Sequence, residues 1–339
     1  MTQNFNKYQQ IYWAFTQLCN DHCDHCYNSS GPHGERMSEE ECLAVVDNLP
    51  DQLERLILSG GEPLAERKVL FSILDKLKEK YENRLFITIQ FNGDLLTPKI
   101  LKQLLDKGVD RFSIASIDRY HKKQGERKEI LAELFESHGT RFTEGQPAVT
   151  KAELAKTNRN DPTFGFFGAT EDMWLGGNWA RGRAMDNNIW KKDGSHNFCA
   201  IHSGAIGFLE PEEEQVQEMS IQLWKINPCC PGTVEPLGDA RVEKVAEVLQ
   251  RATKSEVIQK LNKGDAWGMG ESIGISEGYA KQRSNHLQSI CLWCDDFFKN
   301  HYDIKELKER KRQKIDEAGF IPEKMQSRIS IRNSNTNPN

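Results

Sequence analysis

Apolar residues recur along the chain with two alternating periods. "LERLILS" (53–59) and "LFITIQF" (85–91) are apolar runs of strand length, each closed by a turn, "GGEP" and Asn92-Gly93 respectively. Between them "KVLFSILDKLKEKY" (68–81) sets Val69, Leu70, Ile73, Leu74 and Leu77 on one helical face. The unit then repeats. Thr97 is placed to cap a helix whose first position is Pro98, where a missing N–H does no harm, and Gly108 follows its end. "VDRFSIA" (109–115) is the next strand, with a helix predicted near 127–137. Upstream, "QIYWAFTQL" (10–18) reads as extended, and "SEEECLAVVDNL" (38–49) as a helix opened by a Ser38–Glu41 capping box.

Strand and helix in succession predict an α/β fold with a parallel sheet or barrel, because parallel neighbours need a crossover that a helix supplies. Ligands in such folds sit at the carboxyl ends of the strands, in the loops. "GGEP", "NG" and "SID" all fall at such ends. "FGFFGA" (164–169) reads as a later strand, while the polar stretch between Gly139 and Pro162 has no apolar period and fits a lid, an inserted helix or a plain loop.

Composition narrows the partners. With 339 residues the chain can bury a full core, but its net charge of −5 and pI near 6.0 make no general case for nucleic acid or an anionic membrane. No apolar run approaches the roughly 20 residues of a membrane span, and the N-terminus lacks the regions of a signal peptide, so the expected compartment is cytoplasmic. Nine cysteines in a reducing compartment point to metal rather than disulfides. Cys42 stands alone, on one helical face with Val45, Val46 and Leu49, and is expected to be a small core residue. Cys19, Cys23 and Cys26 are spaced CxxxCxxC, one thiolate short of the four that close a structural iron–sulfur or zinc site. Either His22 or His25 completes a Cys₃His zinc site, or one coordination position stays open.

That triplet, Tyr27 directly after Cys26, and "SGGEP" at the end of the next strand resemble the radical S-adenosylmethionine (SAM) superfamily, over about residues 8 to 190. The resemblance implies a partial (β/α)6 TIM-like barrel over residues 1–190. It implies that Cys19, Cys23 and Cys26 hold three irons of a [4Fe–4S] cluster, and that the amino and carboxylate groups of SAM chelate the fourth iron. One electron from the reduced cluster would then cleave SAM to a 5′-deoxyadenosyl radical that abstracts a substrate hydrogen, the electron coming from a flavodoxin- or ferredoxin-type donor. Carried over residue by residue, Gly60, Gly61 and Glu62 would receive the methionine ammonium and Tyr27 would reach the adenine through its backbone. Gln90, Asn92, Ser116 and Asp118 would contact the ribose or the carboxylate, although "NG" and "SID" also make ordinary turns. "NWARGRA" (178–184) resembles a GRA-type stretch that precedes a second domain, with Arg181 or Arg183 either pairing with an anion or lying on the surface.

The later cysteines follow an order of their own: Cys199, a hairpin ending in Pro228-Cys229-Cys230, a helix, and "CLWC" at 291–294. This resembles a truncated SPASM, or twitch, extension over residues 191–302, in which Cys199, Cys229, Cys291 and Cys294 would close one auxiliary [4Fe–4S] cluster. Cys230 competes with Cys229. Cys229 is preferred because it follows Pro228 at a strand end, where alternation turns the next side chain to the other face. A zinc ribbon would use the same thiols. Trp293, Phe297 and Phe298 read as packing around that group. Residues 303–339 read as a charged helix, whose interleaved acids make a solvated face of "KERKRQK", and a disordered tail.

The substrate expected from this pattern is a small metabolite, oxidised in the manner of twitch-bearing dehydrogenases, since only 18 residues precede Cys19 where peptide-modifying relatives carry a leader-binding region. A peptide-modifying enzyme is the alternative. A non-catalytic iron–sulfur or zinc protein is the remaining one.

Overall fold

The computed structural model describes residues 3–82, 84–115, 126–144, 150–155, 160–167 and 179–302. Its backbone is one nine-stranded sheet in the order β5-β6-β4-β3-β2-β1-β7-β8-β9. The strands are β1 (Lys7–Ala14), β2 (Gln52–Ser59), β3 (Phe86–Phe91), β4 (Arg111–Ala115), β5 (Arg141–Phe142), β6 (Thr163–Phe167), β7 (Glu218–Gln222), β8 (Lys225–Asn227) and β9 (Gly238–Asp239). Neighbours from β5 through β7 pair in parallel; β8 and β9 add on antiparallel. The fold is therefore the expected mixed α/β type with an open parallel sheet.

Helices cover one face: α1 (Glu39–Asn48), α2 (Arg67–Tyr81), α3 (Pro98–Asp106) and α4 (Glu126–Ser137) lie between the early strands in sequence. The local signals read from the sequence hold. Ser38 and Glu41 form the capping box, and Thr97 accepts from the Ile100 amide ahead of Pro98. α4 shows which face of the sheet is dry, because Phe135 meets Phe112 at 5.1 Å and stacks on Phe164 at 4.8 Å between ring centroids. Ile11, Leu56 and Ile87 share a row on the parity opposite to Arg55, as parallel pairing requires.

The opposite face, turned away from α4, is unusually polar. Its rows run Glu218–Gln10–Arg55–Phe86 and Tyr12–Ile57–Thr88–Arg111–Thr163. Gln10, Arg55, Thr88, Arg111, Ser113, Glu218 and Ser220 are all buried. A sheet face that is polar yet excluded from solvent differs in kind from the apolar face under α4, because each polar group buried there calls for a partner.

The polar stretch after Gly139 supplies β5 and a short helix, α5 (Lys151–Ala155); 145–149 and 156–159 lie outside the described residues. Beyond it come α6 (Gly182–Asp186), then the expected hairpin, β7 with β8. That hairpin does not stand apart: β7 pairs along β1 and so continues the main sheet. Four helices follow, α7 (Val245–Ala252), α8 (Glu256–Asn262), α9 (Glu277–Leu287) and α10 (Ile290–Asn300). Trp293, Phe297 and Phe298 of α10 are buried and in ring contact with one another or with Tyr302. The charged helix and tail expected over 303–339 lie outside the described residues. Among the described residues no helix is long and apolar enough to cross a membrane.

Cys42 is 1% exposed in α1 and packs in the core as the pattern predicts. Cys42→Ala should cost about 1 kcal/mol in chemical denaturation, the scale of a small core truncation, and leave bound iron unchanged. Loss of iron on that substitution would make Cys42 a ligand.

Candidate active site

The three early cysteines lie on a loop that leaves β1 and is strapped to the end of β2. Phe15 N donates to Ser59 O at 3.1 Å, Gly61 N to Thr16 O at 2.7 Å, and Glu62 N to Leu18 O at 2.8 Å. The approach is too close for side chains: a Cβ on Gly60 would sit 2.4 Å from Thr16 O, and one on Gly61 2.4 Å from Leu18 O. Two glycines are thus required by contact, independent of any ligand. Cys19 N donates back to Gly31 O at 3.0 Å, and Arg183 Nε to Cys23 O at 3.0 Å, which pins the first and the middle cysteine of the triplet.

Glu62 is 0% exposed and clasps two strand ends. Its Oε1 accepts from Leu64 N at 2.9 Å and its Oε2 from Asn92 N at 2.7 Å, so each oxygen keeps acceptor capacity for a further donor. Asn92 in turn sends Nδ2 to Asn20 Oδ1 at 3.0 Å and toward Cys19 Sγ at 3.9 Å. Arg127 pairs with Asp94 at 2.6 Å and donates to Asn92 O. Burial pushes the Glu62 carboxyl up to about 7, against the two backbone donors that lower it. Burial, with Glu62, Cys26 and Asp21 adding negative potential, pushes the Cys19 thiol up to about 12, and Cys23 is also raised, by burial and by Asp21. The pocket therefore resists its own thiolates and favours a cationic group that would stabilise them.

Among the described residues no three His, Cys, Asp or Glu side chains are placed to hold one metal ion. The thiols instead sense one another: Cys19 and Cys26 each raise Cys23. His22 is exposed and His25 buried.

A second thiol set lies between α10 and the bend after β8. Cys199 feels Cys291 and Cys229, Cys229 feels Cys291, and Cys294 feels Cys199 and Cys229; burial raises all four above a free thiol, Cys229 to about 12. Arg181 runs among them. Its Nη1 donates to Cys291 O at 3.3 Å and pairs with Asp295, and its Nη2 donates to Gly232 O at 3.1 Å. Although burial opposes its charge, Asp295 and the thiols of Cys291, Cys294 and Cys229 hold that guanidinium above its ordinary value. Cys230 has different surroundings: burial raises its thiol, the charges of Glu218 and Cys229 add to that, and the Tyr27 hydroxyl opposes it. β8 has ended at Asn227, so the divergence of Cys229 from Cys230 comes from a bend and not from strand alternation. An aromatic ladder joins the two sets: Tyr27 meets Trp179 at 4.6 Å, and Trp179 meets Phe198 at 5.3 Å, next to Cys199.

Cys19, Cys23, Cys26, Tyr27, Gly60, Gly61, Glu62 and Asn92 are thus neighbours, and Gln90 lies on the polar face of β3 opposite Ser113. Ser116 and Asp118 lie outside the described residues. Sequence reasoning passed over Asn20, Arg127 and Trp179, whose partners are distant in the chain. It left Arg181 and Arg183 open, and both are engaged. "NWARGRA" did carry a signal, a Gly182 at φ 49° whose Cβ would meet Tyr27 O at 2.5 Å.

Residues 13–140 match the family described as the Radical SAM superfamily. A curated relative, "AdoMet-dependent heme synthase" of Methanosarcina barkeri (strain Fusaro / DSM 804), is 38% identical over 111 residues, which is 32% of this chain and 30% of that protein. Solved structures that align include BtrN in complex with AdoMet and 2-DOIA, at 15% identity and TM-score 0.47 over 78% of this chain and 90% of that one. Native anSMEcpe with bound AdoMet and Cp18Cys peptide aligns at 15% identity and TM-score 0.46 over 89% and 98%.

The Glu62 carboxyl ionises near 4.5 when exposed and about 7 in the folded chain. The native state therefore holds its proton more tightly. That contribution to stability is complete below pH 4.5 and is lost as pH rises toward 7. Thermal denaturation of the ligand-free protein should show Glu62→Gln with a flatter pH dependence across that window than the wild type. Parallel curves for the two would contradict the assignment.

Proposed function

We propose that residues 13–140, which match the Radical SAM superfamily, form a radical SAM domain, and that this protein is an enzyme that oxidises a small metabolite in the cytoplasm, with an auxiliary cluster and a flavodoxin- or ferredoxin-type donor. The observation that carries the reading is the strap between the cysteine loop and Gly60-Gly61-Glu62, with Asn92 bridging Glu62 and Cys19. It brings three thiols and a buried carboxylate with spare acceptor capacity to one strand end. When bound, a reduced [4Fe–4S] cluster and SAM supply the one-electron cleavage that generates a 5′-deoxyadenosyl radical.

The chain's own residues have distinct tasks in this reading. Cys19, Cys23 and Cys26 would hold three irons, and Glu62 would take the cofactor's ammonium on the lone pairs that Leu64 N and Asn92 N leave open. A cation there would return Glu62 to its ionised form. Gly60 and Gly61 keep the backbone close, and Tyr27, braced by Trp179, would reach the adenine through its backbone. Gln90, Ser116 and Asp118 remain the proposed ribose and carboxylate contacts.

Removing one hydrogen atom leaves a substrate radical that must still lose one electron and one proton to become the oxidised product, so a second electron acceptor is needed. Cys199, Cys229, Cys291 and Cys294 are mutually coupled, and the buried Arg181 offsets the cost of ionising them together. Four thiolates would fill a second [4Fe–4S] cluster and leave no iron for substrate. Cys230, turned toward Tyr27, stays a free thiol.

After anaerobic reconstitution the wild type should carry about eight irons, and the Cys291→Ala, Cys294→Ala double variant about half of them. With dithionite and SAM the double variant should still form 5′-deoxyadenosine but stall before oxidised product; normal turnover would refute the relay. Zinc in the second set would point to a ribbon instead.

Glu62→Ala should keep the visible spectrum of the cluster and weaken SAM binding about tenfold to a hundredfold, the worth of a charge-assisted hydrogen bond. Unchanged SAM affinity and cleavage would remove Glu62 from the cofactor site.

A further inference from the structure

The polar face of the sheet holds a buried guanidinium that makes no ion pair among the described residues, although the charges of Glu218 and Asp110 reach it. Arg55, in the middle of β2, is 1% exposed. Its Nη2 donates to Thr88 Oγ1 at 3.4 Å, and its Cζ lies 5.1 Å from the centroid of the Phe86 ring. Nε and Nη1 find no acceptor among the described residues. Glu218, the acid on the same row, is committed to Gln10 Nε2 and lies 3.6 Å from His202 Nε2. Arg111, two strands away on the same face, adds a second positive charge and is held by Thr143 and Thr163. Burial, then the charge of Arg111, push Arg55 down to about 10 against the opposing charges of Glu218 and Asp110, which still leaves it charged at neutral pH.

A buried charge is normally paired or discharged, because leaving water without compensation is costly. A fold that keeps one with two idle nitrogens has kept it for a partner outside the chain. We propose that Arg55, assisted by Arg111, binds an anionic group of the substrate, a carboxylate or a phosphate, on this face of the sheet. The proposal rests on the reading of that face as the chamber below the SAM site. Arg55 precedes Ser59 by four residues, about 13 Å along a strand, so a substrate of metabolite size anchored there reaches the strand end where Gly60-Gly61-Glu62 begins. Arginine suits the task because its planar fork stays protonated and matches either anion.

Thermal denaturation of the reconstituted, SAM-free protein, titrated with sodium phosphate or sodium succinate against sodium chloride at equal ionic strength, tests the site. The wild type should gain several degrees saturably. A response to phosphate alone marks a phosphate ester as substrate, and one to succinate alone marks a carboxylate. Arg55→Met should lose the response, and Arg55→Lys, which keeps charge but not the fork, should need about tenfold more anion. No saturable response in the wild type, or one undiminished in the variants, overturns the proposal. If Arg55→Met fails to fold, Arg55→Lys decides by the same criterion. SAM cleavage by the wild type is assayed alongside. Its absence would count against the function proposed above and leave the anion site standing, because the titration involves no SAM.

Discussion

The closest constraint in this molecule is the contact between two backbones. Thr16 to Leu18 runs so near Gly60 and Gly61 that any Cβ would collide with a carbonyl. The amides of Gly61 and Glu62 fasten that approach, and the loop carrying Cys19, Cys23 and Cys26 inherits its position from it. The carboxylate of Glu62 then caps the turn and ties the end of β2 to the end of β3 through Asn92. Strand order, turn and thiol placement are one mechanical unit.

Electrostatics gives the unit its purpose. Burial of Cys19, Cys23 and Glu62 together disfavours negative charge on these three groups, so a cation beside them would favour their ionised forms. The second thiol set meets the same problem with a partial internal answer, Arg181 placed among the sulfurs and balanced by Asp295, although burial still holds all four thiols above a free thiol. Arg55 presents the converse case, a buried cation with idle donors on the polar wall. One sheet thus carries acids and thiols that resist ionising at its strand ends and a guanidinium with idle donors on its polar face.

The sequence by itself determined the elements and where along the chain the thiols cluster. Strand and helix periods, the Ser38 cap, the Thr97-Pro98 start and the Cys42 core position are local, set by the nearest few residues, and a linear reading recovers them. The CxxxCxxC spacing and the glycine pair were legible for the same reason. What tertiary structure decided is whatever depends on residues far apart in the chain. That β7 continues the main sheet along β1, that Arg181 reaches Cys291, that Trp179 bridges Tyr27 to Phe198, and that Arg55 faces Arg111 across β3 follow from register between distant strands. Cys229 and Cys230 differ by one position, and a bend rather than any period sends one to the thiol set and the other to Tyr27. Periodicity tells which face of its own element a side chain occupies, but only packing tells what lies opposite, because long-range contact is fixed by the sum of all the burial at once.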